Sequence, residues 1–263
     1  MLGKLIKYDF KSNFKFLMIF YILALFFAVL TRIFLNIEDS FILNIVGKVC
    51  SGTTIAMIFN ILINNLMRVW VRFKQNLYGD ESYLTHTLPV ERKDIYLSKI
   101  LTSIILIFIS MGVISLVMFV AYYSKDSLKF LKDLLLPVVE IFDSTMLLFV
   151  LAFIFILFLE VANLLQIGFT GIILGHRMNN NKTLFSVLFG FAGYSVIQII
   201  LLVVLFIISL FNKDMLNLFF TNEIINMEMV KFIVMLSIFM YSIFIIGVYF
   251  INQKLLSKGI NVD

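Results

Sequence analysis

Six long apolar runs, separated by short polar segments, dominate the pattern of residues along the chain. Each run holds about 20 apolar residues, which is the number a helix needs to cross a bilayer core roughly 30 Å thick. A membrane β-barrel would instead show short segments of alternating polarity, and these runs do not alternate. We therefore predict an all-α, polytopic membrane protein that forms a single transmembrane domain over residues 1–263. Its six helices are expected at about residues 16–35, 52–71, 100–122, 145–167, 187–210 and 230–251.

The overall composition excludes most classes of soluble protein. The chain is 62% hydrophobic and 14% charged, whereas globular proteins are about 45–50% apolar and about 25% charged. A soluble enzyme with a polar cleft, a disulfide scaffold and a disordered regulator are all disfavoured. The single cysteine, Cys50, forms neither an internal disulfide nor a thiolate metal cluster. We expect no metal site and no nucleic-acid partner.

The placement of the basic residues predicts the orientation. With six spans both termini share one side of the membrane, and 14 of the 21 Lys and Arg residues fall on that side. Cytoplasmic loops are enriched in Lys and Arg, so both termini are predicted to be cytoplasmic. Within residues 1–15, four lysines recur at helical spacing opposite an apolar face: Lys4, Lys7, Lys11 and Lys15. This pattern predicts either an amphipathic helix on the inner leaflet, in contact with anionic lipid, or a simple positive anchor.

The longest cytoplasmic loop, residues 72–99, differs in composition from the rest of the chain. Gly79 is expected to break the helix that continues from the second span. Pro89 is expected to end a second, short helix, because proline disfavours helical geometry in the residue before it. Two acids suit the start of that helix, and three apolar residues give it one apolar face. The loop is either a docking element or a hairpin that packs on its own spans; its defining residues are Gly79, Asp80, Glu81, Tyr83, Leu84 and Leu88.

The same loop carries a resemblance to a known family. The run Tyr-Gly-Asp-Glu-Ser-Tyr-Leu-Thr-His-Thr-Leu-Pro-Val from Tyr78 to Val90, followed by Leu97-Ser-Lys-Ile, resembles the type-2 ABC-transporter permeases of Gram-positive bacteria. In that family a Gly-Asp-Glu-x-Tyr-Leu-x-x-Thr-Leu-Pro-Val stretch recurs between the second and third spans. The resemblance implies a multi-pass protein of the bacterial cytoplasmic membrane. It also implies that the short helix is a coupling helix that seats on a separate ATP-binding subunit.

The resemblance further implies the composition of the whole transporter. Two copies of the ATP-binding subunit and a second permease copy or a paralogue are expected as partners, together with membrane lipid. The chain contains no G-x-x-x-x-G-K-[ST] phosphate loop, so we do not expect it to be an enzyme. It would hold no cofactor, and ATP and magnesium would bind to the partner. The implied function is the export of a hydrophobic or amphipathic compound, with peptide antibiotics as one class and antibiotic resistance as one role.

Polar residues inside the spans are the candidates for a substrate path. Glu160 lies well inside the fourth span, and intramembrane carboxylates are functional candidates by default. Each of the polar residues also has a structural interpretation, as a hydrogen-bonding residue where helices pack. The candidates are Asn60, Asn64, Glu160, Asn163 and Gln198. Two alternative functions stay open: an ion- or proton-coupled secondary transporter that uses Glu160, and a scaffold or sensor subunit that does not transport.

Two further patterns concern packing and the membrane surface. A stripe of glycines in the fourth segment, Gly168, Gly171 and Gly175, predicts close approach of another helix. Residues 125–143 and 211–229 mix apolar and charged positions, and both are predicted to be helices in the outer membrane interface.

Overall fold

The fold is that of a helical membrane protein. The computed structural model describes residues 1–37, 40–142, 144–211, 216 and 227–259. Within these residues there are eight helices and no strand: α1 (Leu2–Leu35), α2 (Phe41–Leu77), α3 (Ser82–Thr87), α4 (Arg92–Tyr122), α5 (Lys125–Ile141), α6 (Met146–Gly175), α7 (Lys182–Ser209) and α8 (Met227–Ser257). Six of them, all except α3 and α5, are long and apolar enough to cross a membrane. The predicted all-α, multi-pass class is therefore confirmed.

All six spanning helices are longer than the apolar runs that predicted them. Helix α1 runs without a break from Leu2 to Leu35, so the lysine-rich residues 1–15 continue directly into the first span. Helix α6 likewise extends to Gly175, beyond the predicted end of the fourth span. A helix can continue past its apolar stretch because its backbone hydrogen bonds form within the helix itself. The location of residues 1–15 on the membrane surface stays a prediction.

The chain divides into two compact units, residues Met1–Leu131 and residues Lys132–Asp263. In the first unit α1 packs against α2 and α4, and α2 also packs against α4 and α3. In the second unit α6 packs against both α7 and α8. Helix α5 crosses the boundary in the sequence, and its residues from Lys125 to Leu134 are exposed. Helix α5 corresponds to the helix predicted over residues 125–143. Its place in the outer interface stays a prediction.

The buried face of α1 explains how the first unit is held together. Its buried positions beyond the first turns are spaced three and four residues apart, as one face of a helix requires: Leu17, Tyr21, Ala24, Ala28 and Thr31. The two alanines let neighbouring backbones approach closely.

The exposed faces of the spans in both units are strongly apolar, with Phe26, Phe59 and Phe153 each more than half exposed. This arrangement suits a surface that lipid covers.

Close packing of α6 on α7 holds the second unit together. A methyl group on Gly171 would lie 2.5 Å from the carbonyl oxygen of Ser186 and 2.6 Å from the nitrogen of Gly190. A methyl group on Gly175 would lie 2.4 Å from the nitrogen of Ser186. No real side chain fits at such distances, so the two helices meet backbone to backbone. The close packing that the glycine stripe predicted is thus present at Gly171 and Gly175.

Beyond α7, the structure describes little of the predicted interfacial segment 211–229. Apart from Phe211, Leu216 and the residues from Met227 onward, that segment lies outside the described residues. Its position in the outer interface stays a prediction.

The glycine contact gives a direct test of the second unit. We expect Gly171→Ala to lower the midpoint of thermal unfolding in detergent, because overpacking a close contact costs about 1–3 kcal/mol. Gly190→Ala is the matched control, since a methyl group there meets no atom within 4 Å. Both changes add one methyl group to the same helix pair. Equal midpoints for the two variants would contradict the described packing of α6 on α7.

Candidate functional site

The loop between the second and third spans contains the short helix that its sequence predicted. Helix α2 ends at Leu77, α3 occupies Ser82–Thr87, and α4 begins at Arg92. Gly79 lies in the turn after α2, where its amide donates to the carbonyl of Lys74 at 3.1 Å. Leu88 leaves the helix in an extended conformation (φ −66°, ψ 136°), as the residue before a proline does. The expected order of helix, turn, short helix, turn and helix is confirmed.

The polarity of α3 is inverted relative to an ordinary surface helix. Its polar residue Ser82 is buried, and the Nε2 atom of His86 lies 3.1 Å from the carbonyl oxygen of Leu77. Its apolar residues point outward instead: Tyr83 is 77% exposed and Leu84 is 68% exposed. Leu88, just after the helix, is also exposed. The predicted apolar face exists, and it faces away from the bundle.

The two acids ahead of α3 have different surroundings. Asp80 is exposed. Glu81 turns back toward the bundle, where its Oε1 atom forms an ion pair with the guanidinium of Arg72 in α2. Of the residues proposed for coupling, Asp80, Tyr83, Leu84 and Leu88 are therefore available at the surface. Gly79 and Glu81 shape the loop and fix it to the end of α2.

A buried amide connects this ion pair to the neighbouring helix. The hydrogen-bond network assigns the orientation of the Asn76 side chain, because only one orientation satisfies all its neighbours. In that orientation its nitrogen donates to Glu81 at 3.2 Å and to the carbonyl of Arg72 at 2.8 Å. Its oxygen accepts from the Nζ atom of Lys99 at 2.8 Å. Asn76 thus joins the loop to the start of α4.

Lys99 in turn forms a buried ion pair with the first helix. Its Nζ atom lies 2.6 Å from Oδ1 of Asp9, and both side chains are more than nine-tenths buried. The hydroxyl of Ser98 donates to the other carboxylate oxygen of Asp9 at 3.5 Å. We call the connected set the anchor network; its residues are Asp9, Arg72, Asn76, Glu81 and Lys99. It links the short loop helix to α1, α2 and α4.

Sequence reasoning missed the anchor network, although one signal was present. Asp9 lies on the face of α1 opposite the four lysines, which places a charge in the middle of the apolar face. A charge in that position needs a partner from another helix, because burying it alone is costly. The sequence contains many basic residues and does not show that the partner is Lys99.

The polar residues of α2 divide between two faces. Asn60 and Asn64, the candidates for a substrate path, are half-buried, and the side-chain nitrogen of Asn64 donates to the carbonyl of Asn60 at 2.9 Å. The neighbouring Asn65 is buried and crosses to α4, where it donates to the carbonyl of Leu106 at 3.1 Å and to the hydroxyl of Ser110 at 2.6 Å. That hydroxyl also bonds with the hydroxyl of Tyr21 at 2.7 Å, so the contact joins α1, α2 and α4. Asn65 therefore holds helices together, while Asn60 and Asn64 stay candidates for the path.

In the second unit, two of the predicted path residues come together. The hydroxyl of Tyr241 in α8 hydrogen-bonds with the side chain of Gln198 in α7. Glu160 in α6 and Tyr194 in α7 both interact electrostatically with the same Tyr241. All four side chains are half-buried. Sequence reasoning proposed Glu160 and Gln198 and missed the tyrosines, because tyrosine is also common in spans for reasons of packing and interface position.

Asn163 follows Glu160 by three residues in α6 and is more deeply buried. It and Gln166 are almost fully buried, and their side-chain oxygens have no hydrogen-bond partner among the described residues. One turn further on, the side-chain nitrogen of Asn252 in α8 donates to the backbone carbonyl of Gln166 at 3.2 Å. This burial is typical of residues at a helix interface, so the structural interpretation suits Asn163 better than a place on an open path.

Comparison with known proteins adds no assignment. No protein-family model, no curated protein and no solved structure matches the chain. The resemblance to type-2 permeases therefore stays a prediction that rests on the residues of the loop.

The anchor network gives a test of what holds the loop to α1. We expect Asp9→Asn to destabilise the protein strongly, because removing one partner of a buried ion pair costs about 3–5 kcal/mol. The measurement is the midpoint of thermal unfolding in detergent. The control is Glu91→Gln, which removes the carboxylate of the exposed Glu91–Lys93 pair on the same side of the first unit. Exposed pairs contribute little, so that midpoint should stay near the wild-type value.

A second variant separates the charge from the packing. Combining Asp9→Asn with Lys99→Gln removes both charges and leaves two side chains that can still hydrogen-bond. We expect the double variant to be more stable than Asp9→Asn alone. Additive losses would show that the pair does not interact as described.

Proposed function

We propose that the chain is the membrane-spanning permease subunit of an ATP-driven ABC exporter of the type-2, Gram-positive bacterial kind. The observation that carries the proposal is the inverted polarity of α3, which presents Tyr83 and Leu84 to the outside. Exposed apolar side chains on a polar loop are unfavourable in water and are typical of a surface that a partner covers. The resemblance of residues 78–90 to a coupling helix supports the same interpretation.

The way in which α3 is held also suits a docking element. A helix of six residues is not stable by itself, because nucleating a helix costs more than one turn returns. The Glu81–Arg72 ion pair and the His86 contact hold α3 against the end of α2. A surface that is ordered before binding loses less entropy on association. Tyrosine at the centre of such a surface is a frequent anchor in protein interfaces.

The energy source in this proposal is a separate ATP-binding protein. Two copies of it would dock on the α3 helices of two permease chains, which are identical or paralogous. Binding of ATP would draw the two ATP-binding subunits together and move α3. The anchor network would pass that movement to α1 and α4, so that the complex shifts between two conformations with different access to the cargo. The cargo class is a hydrophobic or amphipathic compound.

One observation favours a second candidate function. Glu160 lies near the Gln198–Tyr241 hydrogen bond inside the spanning helices, where a carboxylate can bind a proton or an ion. A secondary transporter that uses Glu160 would take the energy for transport from an ion gradient and would not need ATP. The dependence of transport on ATP therefore separates the two candidates.

The docking proposal predicts a selective effect at α3. We expect Tyr83→Asp to abolish recovery of an ATP-binding protein with the purified chain, because a charge replaces the exposed aromatic ring. Tyr8→Asp is the matched control: Tyr8 is an equally exposed tyrosine of the first unit, and its loss should leave recovery unchanged. The recovered protein is identified by its phosphate-loop sequence and by ATPase activity in the purified complex.

Two outcomes would contradict the docking proposal. One is equal recovery of the ATP-binding protein with Tyr83→Asp and with wild type. The other is transport by the chain alone, in vesicles without ATP. Glu81→Lys is a poor probe of docking, since it also breaks the internal ion pair with Arg72.

The proposed orientation has its own test. In a Cys50→Ser background, Asn180→Cys should react with a membrane-impermeant maleimide only after the cells are permeabilised, because the turn before α7 is proposed to be cytoplasmic. Ser127→Cys in α5, on the proposed outer side, should react in intact cells. Both positions are exposed, so access differs only through the membrane. The reverse labelling pattern would overturn the orientation.

A further inference from the structure

Three polar side chains of the second unit, those of Glu160, Gln198 and Tyr241, share one depth in the spans. Glu160 precedes the end of α6 at Gly175 by 15 residues, Gln198 follows the start of α7 at Lys182 by 16, and Tyr241 precedes the end of α8 at Ser257 by 16. At 1.5 Å per residue these positions are about 22–24 Å from the same end of the helices. Tyr194 lies one turn nearer to that end than Gln198.

The helix ends from which this depth is measured lie at one level. A short turn joins α6 to α7. The guanidinium of Arg177 in that turn donates to the carbonyl of Leu255 near the end of α8 at 2.6 Å. The shared depth of Glu160, Gln198 and Tyr241 therefore follows from helix geometry, independently of their electrostatic contacts.

Tyr241 connects the other three side chains. The hydroxyl of Tyr241 hydrogen-bonds with the side chain of Gln198. Glu160 and Tyr194 both interact electrostatically with that same hydroxyl. All four are half-buried, so the group is open on one side instead of being sealed in the helix interface. Asn163, by contrast, is closed off. The carboxylate, the amide and the two aromatic rings thus form a cluster that a ligand can reach.

The cluster has an acid and lacks a base. Within the described residues no Lys or Arg forms an ion pair with Glu160. Helix α6 contains no basic residue, and those of α7 and α8 lie close to the helix ends: Lys182, Lys231 and Lys254. An unpaired carboxylate at this depth is costly, and a positive charge from outside the chain would offset that cost.

The neighbours of Glu160 favour an organic cation over a metal ion. Tyrosine faces attract ammonium and guanidinium groups, and the carboxylate of Glu160 adds a full counter-charge. The amide oxygen of Gln198 is a further acceptor for an N–H donor. A hydrated metal ion would prefer a set of oxygen ligands in place of aromatic rings. The chemistry of the cluster therefore matches a cation that carries an apolar body.

We propose that Glu160, Tyr194, Gln198 and Tyr241 form a binding site for the cationic group of an amphipathic compound. The apolar part of the compound would lie along the open, apolar faces of the surrounding helices. This inference rests on the proposed function in its account of cargo, since it names the charge of the exported compound. Binding itself needs no ATP and no partner, so it can be measured on the chain alone.

The test compares the binding of one cation with the binding of an uncharged analogue of the same shape. The purified chain is placed in phosphatidylcholine nanodiscs, and binding of radiolabelled decyltrimethylammonium is measured by equilibrium dialysis against empty nanodiscs. The neutral carbon isostere, 2,2-dimethyldodecane, has the same shape without the charge. We expect the wild-type chain to bind the cation at least about tenfold more tightly than the isostere, because the carboxylate and the rings recognise the charge. Similar binding of the two compounds, or no binding of the cation, overturns the proposal.

Variants then assign the preference to the cluster. Glu160→Gln should weaken binding of the cation at least about tenfold and leave binding of the isostere unchanged. Glu140→Gln is the matched control, because it removes an exposed carboxylate of α5 outside the cluster and should have no effect. Tyr241→Phe keeps the ring and should stay within about threefold of wild type, whereas Tyr241→Leu should lose about fivefold or more. A Glu160→Gln variant that binds the cation as wild type does also overturns the proposal.

The outcomes separate this inference from the proposed function. If Glu160→Gln fails to fold, the comparison of cation and isostere binding on the wild-type chain still tests whether the chain recognises the charge. Recovery of an ATP-binding partner through Tyr83, without selective binding of the cation, would overturn only the cation site. Selective binding of the cation by a chain that recruits no ATP-binding partner would overturn only the exporter.

Discussion

Polar groups inside this protein depend on other helices for their partners, because lipid offers no hydrogen bonds and no counter-charges. The backbone meets this constraint by forming helices throughout the spans. The side chains meet it by crossing between helices, as Asn65 does when it bonds to Ser110 and as Lys99 does when it pairs with Asp9. Each such contact fixes the rotation of two helices at once. A small number of polar residues thereby determines how the strongly apolar helices of the first unit pack.

Polar contacts also hold the loop helix against the bundle. Glu81 and His86 use their polar atoms to hold α3 against the end of α2. With Ser82 buried and His86 engaged inward, α3 exposes Tyr83, Leu84 and Thr87. The internal contacts that order the loop are therefore also the cause of its apolar outer surface. A docking surface and its mechanical connection to the spans arise from one set of contacts.

In the second unit, helices pack through glycines instead of through paired polar side chains. Gly171 and Gly175 bring α6 against α7 so closely that no side chain separates the backbones. Glu160 lies about three turns before Gly171 on the same face of α6, where it is only half-buried. Glu160 is the exception to the pairing seen in the first unit, because no base of the described chain pairs with it. A positively charged ligand could supply the counter-charge that the described chain does not provide for Glu160.

Much of the fold and part of the site were predictable from residues alone. The six spanning helices followed from apolar runs, the loop helix from Gly79 and Pro89, and the close helix pair from its glycines, since these features depend on local sequence. The inward turn of Glu81 was not predictable, because it depends on where Arg72 stands in space.

What the sequence by itself determined was the set of helices, because length, polarity and turn residues act within a few positions of one another. Only the tertiary structure decided which of two adjacent asparagines, Asn64 or Asn65, crosses to another helix. It also decided that Tyr241 joins Gln198 near Glu160. Partner choice between helices depends on their rotation and depth, and these are set jointly by contacts from residues far apart in the chain.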